Sequence, residues 1–279
     1  EGLVPIIYTT PSQPRQLRLD TTVLCQARCL SCHRFQSERK GTMPMPMVRD
    51  ILADVARWPQ PLQEIVPVNY GEVFLYPDYE TLLRLICTML PQTPMVIPTN
   101  GVLMDVELLA SLPTLSIVNV SINAAFPETY RAFMGLEPDF EGLEKKIRKL
   151  RILAPRVTTW VSFVFDPLYQ SDLERDEFIK RWTSIATPQI LPAASSNRPD
   201  KRPLIPRLRP CRSIFSDIVV GFDGKLTSCC FDPNMNLELS SYSGDLLKDW
   251  RNPQLEELRH LHNEGRRQEV ELCQGCTYE

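Results

Sequence analysis

Apolar positions along the first 192 residues switch repeatedly between two periods. Residues 16–21 (QLRLDT) alternate apolar and polar positions, the period of a half-buried strand, whereas 47–58 set Val48, Ile51, Leu52 and Val55 on one helical face. Residues 65–69 read as a second strand, and Leu82, Leu83, Ile86, Met89 and Leu90 mark a second amphipathic helix. Residues 95–98 and 117–122 are short β-branched runs, the signature of strands buried on both faces of a parallel sheet. A helix is expected over 105–112 between them, and further helices over 127–134 and 140–153. A strand over 159–165, a helix over 173–184 and a sixth strand over 189–191 complete the series. Prolines punctuate it at loop positions such as Pro91, Pro94, Pro113, Pro127 and Pro138. Repeated βα units with short connections imply a parallel sheet whose active site lies at the C-terminal strand ends. About six units fit before residue 192, short of the eight of a closed barrel, so the reading is α/β, a partial (β/α)6 barrel.

The texture then changes. Residues 193–210 are rich in proline, serine and arginine and read as a linker between a barrel over 1–192 and a smaller unit over 211–279. That unit opens on an expected hairpin, strands 214–220 and 225–230 about Asp223-Gly224. A helix follows, with Asn252-Pro253 as cap and first residue, Leu255, Leu258 and Leu261 as the buried stripe, and Gly265 as the stop.

Composition narrows the function. With 279 residues, 43% hydrophobic and 23% charged, the chain can bury a full core, and a formal charge of −3 argues against a general nucleic-acid binder. No apolar run reaches the roughly 18–20 residues of a membrane span and no signal peptide is visible, which predicts a cytoplasmic protein. Nine cysteines are an uneven number in a chain too large to depend on disulfides, so metal binding or catalysis is expected.

Cys25, Cys29 and Cys32 form C-x3-C-x2-C in the loop after the first strand. Three thiolates this close on one loop can wrap a single iron–sulfur cubane and leave one iron open for a small molecule. A Cys3His zinc site using His33 is the alternative on spacing. In this motif the sequence resembles the radical S-adenosylmethionine (SAM) superfamily. The likeness continues in Asn69-Tyr70-Gly71-Glu72, similar to the family's "GGEP" segment with Tyr70 for the first glycine and Val73 for the proline. Thr99-Asn100-Gly101 ends the third strand and Ser121-Ile122-Asn123 the fourth, both in family style. The resemblance implies that Tyr70, Gly71, Glu72, Thr99, Asn100, Ser121 and Asn123 contact SAM, with Glu72 accepting from its ammonium. Ser31 stands where the family often has an aromatic residue near the adenine, which leaves His33 or Phe35 for that contact.

Cys211, Cys229, Cys273 and Cys276 are distant in sequence but stand at hairpin and tail positions that can converge on one [4Fe–4S] cluster or one zinc. Gly224-x4-Cys229 and the terminal C-x2-C resemble the SPASM or twitch extension of radical SAM enzymes in its one-cluster form. Two [4Fe–4S] clusters and SAM are the implied cofactors, with an external electron donor such as flavodoxin or ferredoxin. Cys87 reads as a small core hydrophobe. Cys230 is left over: on a strand its side chain would face away from that of Cys229, toward the barrel mouth, with a buried inert thiol or a reversal of the pair's roles as the alternatives.

The family's chemistry is cleavage of SAM to methionine and a 5′-deoxyadenosyl radical, which takes hydrogen from an unactivated C–H bond. The chain most resembles the aminoglycoside epimerases of the superfamily, in which Cys230 would be the catalytic hydrogen donor to a polycationic antibiotic. Oxidation of an aminocyclitol alcohol to a ketone and peptide modification are the alternatives. Asp166, Asp217 and Asp232 are candidate carboxylates for a cationic substrate.

Overall fold

Six strands pair in parallel and in chain order: β1 (Gln16–Leu19), β2 (Glu64–Val66), β3 (Met95–Thr99), β4 (Leu115–Ser121), β5 (Thr158–Phe165) and β6 (Thr187–Pro192). The computed structural model describes residues 7–193, 209–274, 276 and 278. Parallel neighbours require long crossovers, and helices supply them: α1 (Met45–Val55), α2 (Tyr79–Met89), α3 (Val106–Ser111), α4 (Pro127–Met134), α5 (Phe140–Leu153) and α6 (Asp172–Trp182). The expected periods therefore fall on the observed elements with small shifts at the ends.

One face of the sheet is apolar. Leu17, Leu19, Ile65, Ile97, Val118, Val120 and Val161 bury fully or nearly so against Val48, Ile51, Leu82, Ile86, Ile147 and Phe178 of the helices. Each such side chain contributes roughly 1.5–3 kcal/mol relative to exposure. Alternation sends Gln16, Arg18, Glu64, Asn119, Ser121 and Trp160 to the opposite, inner face, where they are half-buried. Helix starts are fixed locally, with Asp105 Oδ1 accepting from Leu108 N at 3.0 Å and Asp139 Oδ1 from Gly142 N at 2.8 Å.

The C-terminal unit continues the same sheet. It contains α7 (Ser213–Ser216), β7 (Asp217–Val220), β8 (Lys225–Thr227), β9 (Ser240–Ser241), α8 (Leu246–Asp249) and α9 (Pro253–Asn263). β7 pairs in parallel with β1, Leu17 opposite Ile218, and then antiparallel with β8, so nine strands run in the order β6-β5-β4-β3-β2-β1-β7-β8-β9. The expected hairpin forms, with two corrections. Residues 213–216 are a helical turn instead of strand, and β8 stops at Thr227, so Cys229 and Cys230 lie in a turn. Helix α9 begins as expected, Asn252 Oδ1 accepting from Gln254 N at 2.8 Å, and buries Leu255 and Leu258. Its third buried position is not Leu261, which is half-buried, but Arg259 and His262. Asp54 Oδ2 of α1 accepts from Leu246 N at 2.6 Å and Trp250 Nε1 donates to Pro11 O at 3.0 Å, tying the unit to the barrel. Most of the expected linker, 194–208, lies outside the described residues.

Candidate cofactor and active site

The first cysteine loop is closed at its base by the Thr22–Thr42 bridge and by Met43 N donating to Thr21 O at 2.7 Å. Its far side docks on the end of α4: Arg28 N donates to Met134 O at 2.7 Å and Leu30 N to Phe133 O at 2.8 Å. Gly135 ends α4 in the left-handed conformation (φ 62°), where a Cβ would stand 2.8 Å from Arg28 Cβ. The thiols of Cys25, Cys29 and Cys32 are half-buried, and burial raises the pKa of each, so without a metal they hold their protons. Cys29 Sγ meets Met134 Sδ at 3.4 Å.

The strand-end residues converge beside this loop. Glu72, 1% exposed, accepts from Thr99 Oγ1 at 2.9 Å through Oε1 and from Asn100 N at 2.8 Å through Oε2. Asn100 Nδ2 reaches Cys25 Sγ at 3.8 Å, and its Oδ1 accepts from Gln26 Nε2 at 3.0 Å. One network thus joins the first cysteine to the ends of the second and third strands. Desolvation raises the pKa of Glu72. Gly71 is packed between the carbonyls of Thr22 and Leu24. Ser121 Oγ accepts from Ser162 Oγ at 3.3 Å. Asn123 takes a positive φ of 55° and spends its side chain on Val164 N and Met134 Sδ. Tyr70 points elsewhere: its hydroxyl donates to Cys230 O at 2.7 Å, and its N–H to Asp20 Oδ1 at 3.1 Å. His33 is buried with its ring edge-on to Phe231 at 5.2 Å. The side chain of Phe35 lies outside the described residues.

The second set of thiols comes together around one hollow, lined by Cys211, Cys229, Cys230, Cys273 and Cys276. Arg267 and Ser228 line it too, and Arg267 Nε and Ser228 Oγ are buried donors with no acceptor among the described residues. Donors without acceptors around thiols suit an anionic group that carries its own acceptors, as a thiolate-bound iron–sulfur cluster does. Cys230 shares this hollow with Cys229, because β8 has already ended and strand alternation no longer separates the pair. Its strongest charged neighbours, Arg18 and Asp217, belong to the inner face of β1 and β7. Burial pushes the Cys230 thiol up to about 12. Cys87 packs in the core as expected.

Of the candidate carboxylates, Asp166 accepts from Leu168 N at 3.1 Å as a turn group and Asp217 pairs with Arg18 at 3.4 Å. Asp232, fully buried, accepts from Leu237 N at 2.7 Å through Oδ2 and leaves Oδ1 unpartnered. Asp20 and Arg267 are further buried charges at these sites that the sequence pattern hides.

A parallel sheet with thiols clustered at two places, one beside polar strand ends, has the architecture of an iron–sulfur enzyme. The chain belongs to the radical SAM superfamily, which it matches over residues 19–179, and it matches SPASM, an iron–sulfur cluster-binding domain, over 211–277. SAM and [4Fe–4S] clusters are its cofactors, which removes both zinc readings. No curated protein matches the chain in sequence. In fold it is similar to BtrN in complex with AdoMet (SAM) and 2-DOIA, with 15% identity, a TM-score of 0.66 and coverage of 98% of this chain and 94% of that one. It is also similar to Streptococcus suis SuiB bound to precursor peptide SuiA (15%, 0.73, 90% and 67%). A third likeness is to anSMEcpe with bound AdoMet (14%, 0.70, 94% and 88%). No helix among the described residues is long and apolar enough to cross a membrane.

Proposed function

We propose that this enzyme is an epimerase that inverts a carbon centre of an amine-bearing, polyhydroxylated substrate of the aminoglycoside class, with Cys230 as the hydrogen-atom donor. The observation that carries the reading is the fifth thiol. A closed cluster uses four cysteines, assigned here to Cys211, Cys229, Cys273 and Cys276, and Cys230 remains at the border between their hollow and the inner face of the sheet. Cys25, Cys29 and Cys32 are assigned to the first cluster, beside Glu72 as acceptor for the SAM ammonium.

When bound, the first cluster and SAM supply the 5′-deoxyadenosyl radical that removes hydrogen from the substrate carbon. Cys230 then acts from the other side. Its raised pKa keeps the S–H bond intact at neutral pH, and only the protonated sulfur can give a hydrogen atom. The transfer breaks S–H, makes C–H and leaves a sulfur radical, which one proton and one electron from a donor such as flavodoxin or ferredoxin return to thiol. Tyr70 holds the Cys230 turn in place through its carbonyl. Glu64, Arg18 and Asn119, whose Oδ1 has no partner among the described residues, give the inner face the polarity such a substrate needs. Seven cysteines assigned to clusters and two more outside any disulfide suit a reducing compartment, and we place the protein in the cytoplasm.

Turnover in D2O tests this: one deuterium should appear at the inverted carbon, and Cys230→Ala should abolish inversion while 5′-deoxyadenosine still forms. Retained inversion in that variant would remove Cys230 from the mechanism. The second reading is oxidation of an alcohol, with the electron leaving through the C-terminal cluster. It is favoured by the end-to-end likeness to BtrN, solved with 2-DOIA. That reading expects a ketone with no solvent deuterium. A peptide substrate is the third reading, resting on the likeness to SuiB solved with a precursor peptide, of which the chain spans 67%, and to anSMEcpe solved with the Cp18Cys peptide, of which it spans 89%.

A further inference from the structure

Arg267 is a buried cation that neither reading of the reaction uses. It opens the short 3-10 turn Arg267–Glu269 after α9 and is 1% exposed. Its Nη1 donates to two neutral carbonyls, Arg209 O at 3.0 Å and Tyr278 O at 3.4 Å, and its Nε finds no acceptor among the described residues. Among the described residues no carboxylate pairs with it. A guanidinium cannot shed its charge, and a buried charge without a counter-charge is strongly unfavourable. The groups that share its hollow are thiols, those of Cys211, Cys229, Cys230, Cys273 and Cys276.

One further donor lines the same hollow: Ser228 Oγ, fully buried, has no acceptor among the described residues. His262, also fully buried, accepts from Cys211 N at 3.0 Å through Nδ1 and fixes the backbone of that cysteine. Buried donors beside a buried cation complement a bound anion that offers sulfur acceptors.

We infer that Arg267 is the built-in counter-charge of the C-terminal cluster and raises its reduction potential. Adding an electron makes the cluster more negative, so a fixed buried cation stabilises the reduced form more than the oxidised one. Hydrogen bonds and net charge are the levers that set such potentials. Asp232 acts in the opposite sense: it is fully buried, its Oδ2 accepts from the N–H of Leu237, which lines the hollow, and its Oδ1 has no partner among the described residues. The inference holds whether the reaction inverts or oxidises carbon, because it concerns the cluster alone.

The experiment is a redox titration followed by electron paramagnetic resonance, on reconstituted full-length protein carrying Cys25→Ala, Cys29→Ala and Cys32→Ala so that only the C-terminal cluster remains. In that background Arg267→Gln should move the midpoint to more negative potential, Arg267→Lys should stay near the parent, and Asp232→Asn should move it to more positive potential. Iron and sulfide analysis checks that about four irons are present in each. Should Arg267→Gln fail to assemble the cluster while Arg267→Lys succeeds, the need for the charge is upheld. An unchanged midpoint in a fully loaded Arg267→Gln protein overturns the inference. So does an equal shift in the Gln and Lys variants. If neither arginine variant loads, Asp232→Asn decides: a positive shift supports the electrostatic account, and no shift ends it.

Discussion

Gly71 shows how little room the first site leaves for change. A Cβ there would stand 2.1 Å from Thr22 O and 2.9 Å from Leu24 O, and Leu24 O is itself pinned by Glu72 N at 2.7 Å. Gly71→Ala must therefore displace the base of the cysteine loop, at a cost of about 1–3 kcal/mol. The expected protein has lost the first cluster and kept the second, so iron falls from about eight to about four per chain. A variant that still holds about eight irons would show that the loop can yield. Asp20, beneath the same segment, gives a prediction in pH. Burial lifts its pKa to about 6, so the protonated form is favoured in the folded state. Its stability contribution is complete below the ordinary carboxylate pKa and is lost as pH rises through about 6. Asp20→Asn should raise the melting temperature more at pH 8 than at pH 5, the difference corresponding to about 1 kcal/mol. Equal gains at both pH values would contradict the linkage. Glu72, Thr99 and Asn100 stand out in the sequence through the motifs they share with the family, and the structure brings the three into one hydrogen-bonded group. Arg267 was not, because it stands in a run, GRRQEVE, whose charges look solvated until α9 folds His262 and Cys211 against it.

At the scale of elements, period sufficed where one face meets the helix layer, and β1 to β6 with α1 to α6 follow it closely. It failed where the environment is uniform. Ser213, Ile214, Phe215 and Ser216 are all buried, so nothing in their pattern separates strand from helical turn. The end of β8 was hidden for another reason: β9 on its outer side has only two residues, Ser240–Ser241, too short to announce itself, and Thr227 is the last residue of β8 to pair, with Val219 of β7. That early end places Cys229 and Cys230 together in a turn. Contacts between elements were equally hidden, since Asp54 reads as an exposed helix residue and is instead 5% exposed, holding the N–H of Leu246 at the start of α8. Asp54→Ala leaves that donor without its acceptor, a loss of roughly 1–3 kcal/mol. Faster hydrogen exchange at Leu246, with barrel amides unaffected, is the expected signature. Uniformly faster exchange throughout would mean that the C-terminal unit is not separately tethered there.

Across the whole molecule the decisive fact is that β1 is an interior strand. It lies between β2 and β7, with Arg15 N donating to Ser216 O and Asp20 N to Val220 O, both at 2.8 Å, at its two ends. The first cysteine loop leaves from its C-terminal end, so the C-terminal unit braces the strand on which the first cluster depends. The sequence suggests two units joined by a linker, because a register between residues 200 positions apart leaves no local mark. A fragment of residues 1–193 tests the difference. If the units were independent, it would be monomeric and hold about four irons. With β7 gone, β1 instead becomes an unpaired edge that invites pairing with another chain. Part of the inner face also loses its cover, since Arg18 loses Asp217. The expected fragment elutes as aggregate in size-exclusion chromatography and holds less than half of that iron. Adding residues 209–279 as a separate chain should restore part of it, because the missing strand is the cause. A soluble, fully loaded fragment would instead mean that β2 alone holds β1 in place, and that the two thiol sites share a sheet without depending on it.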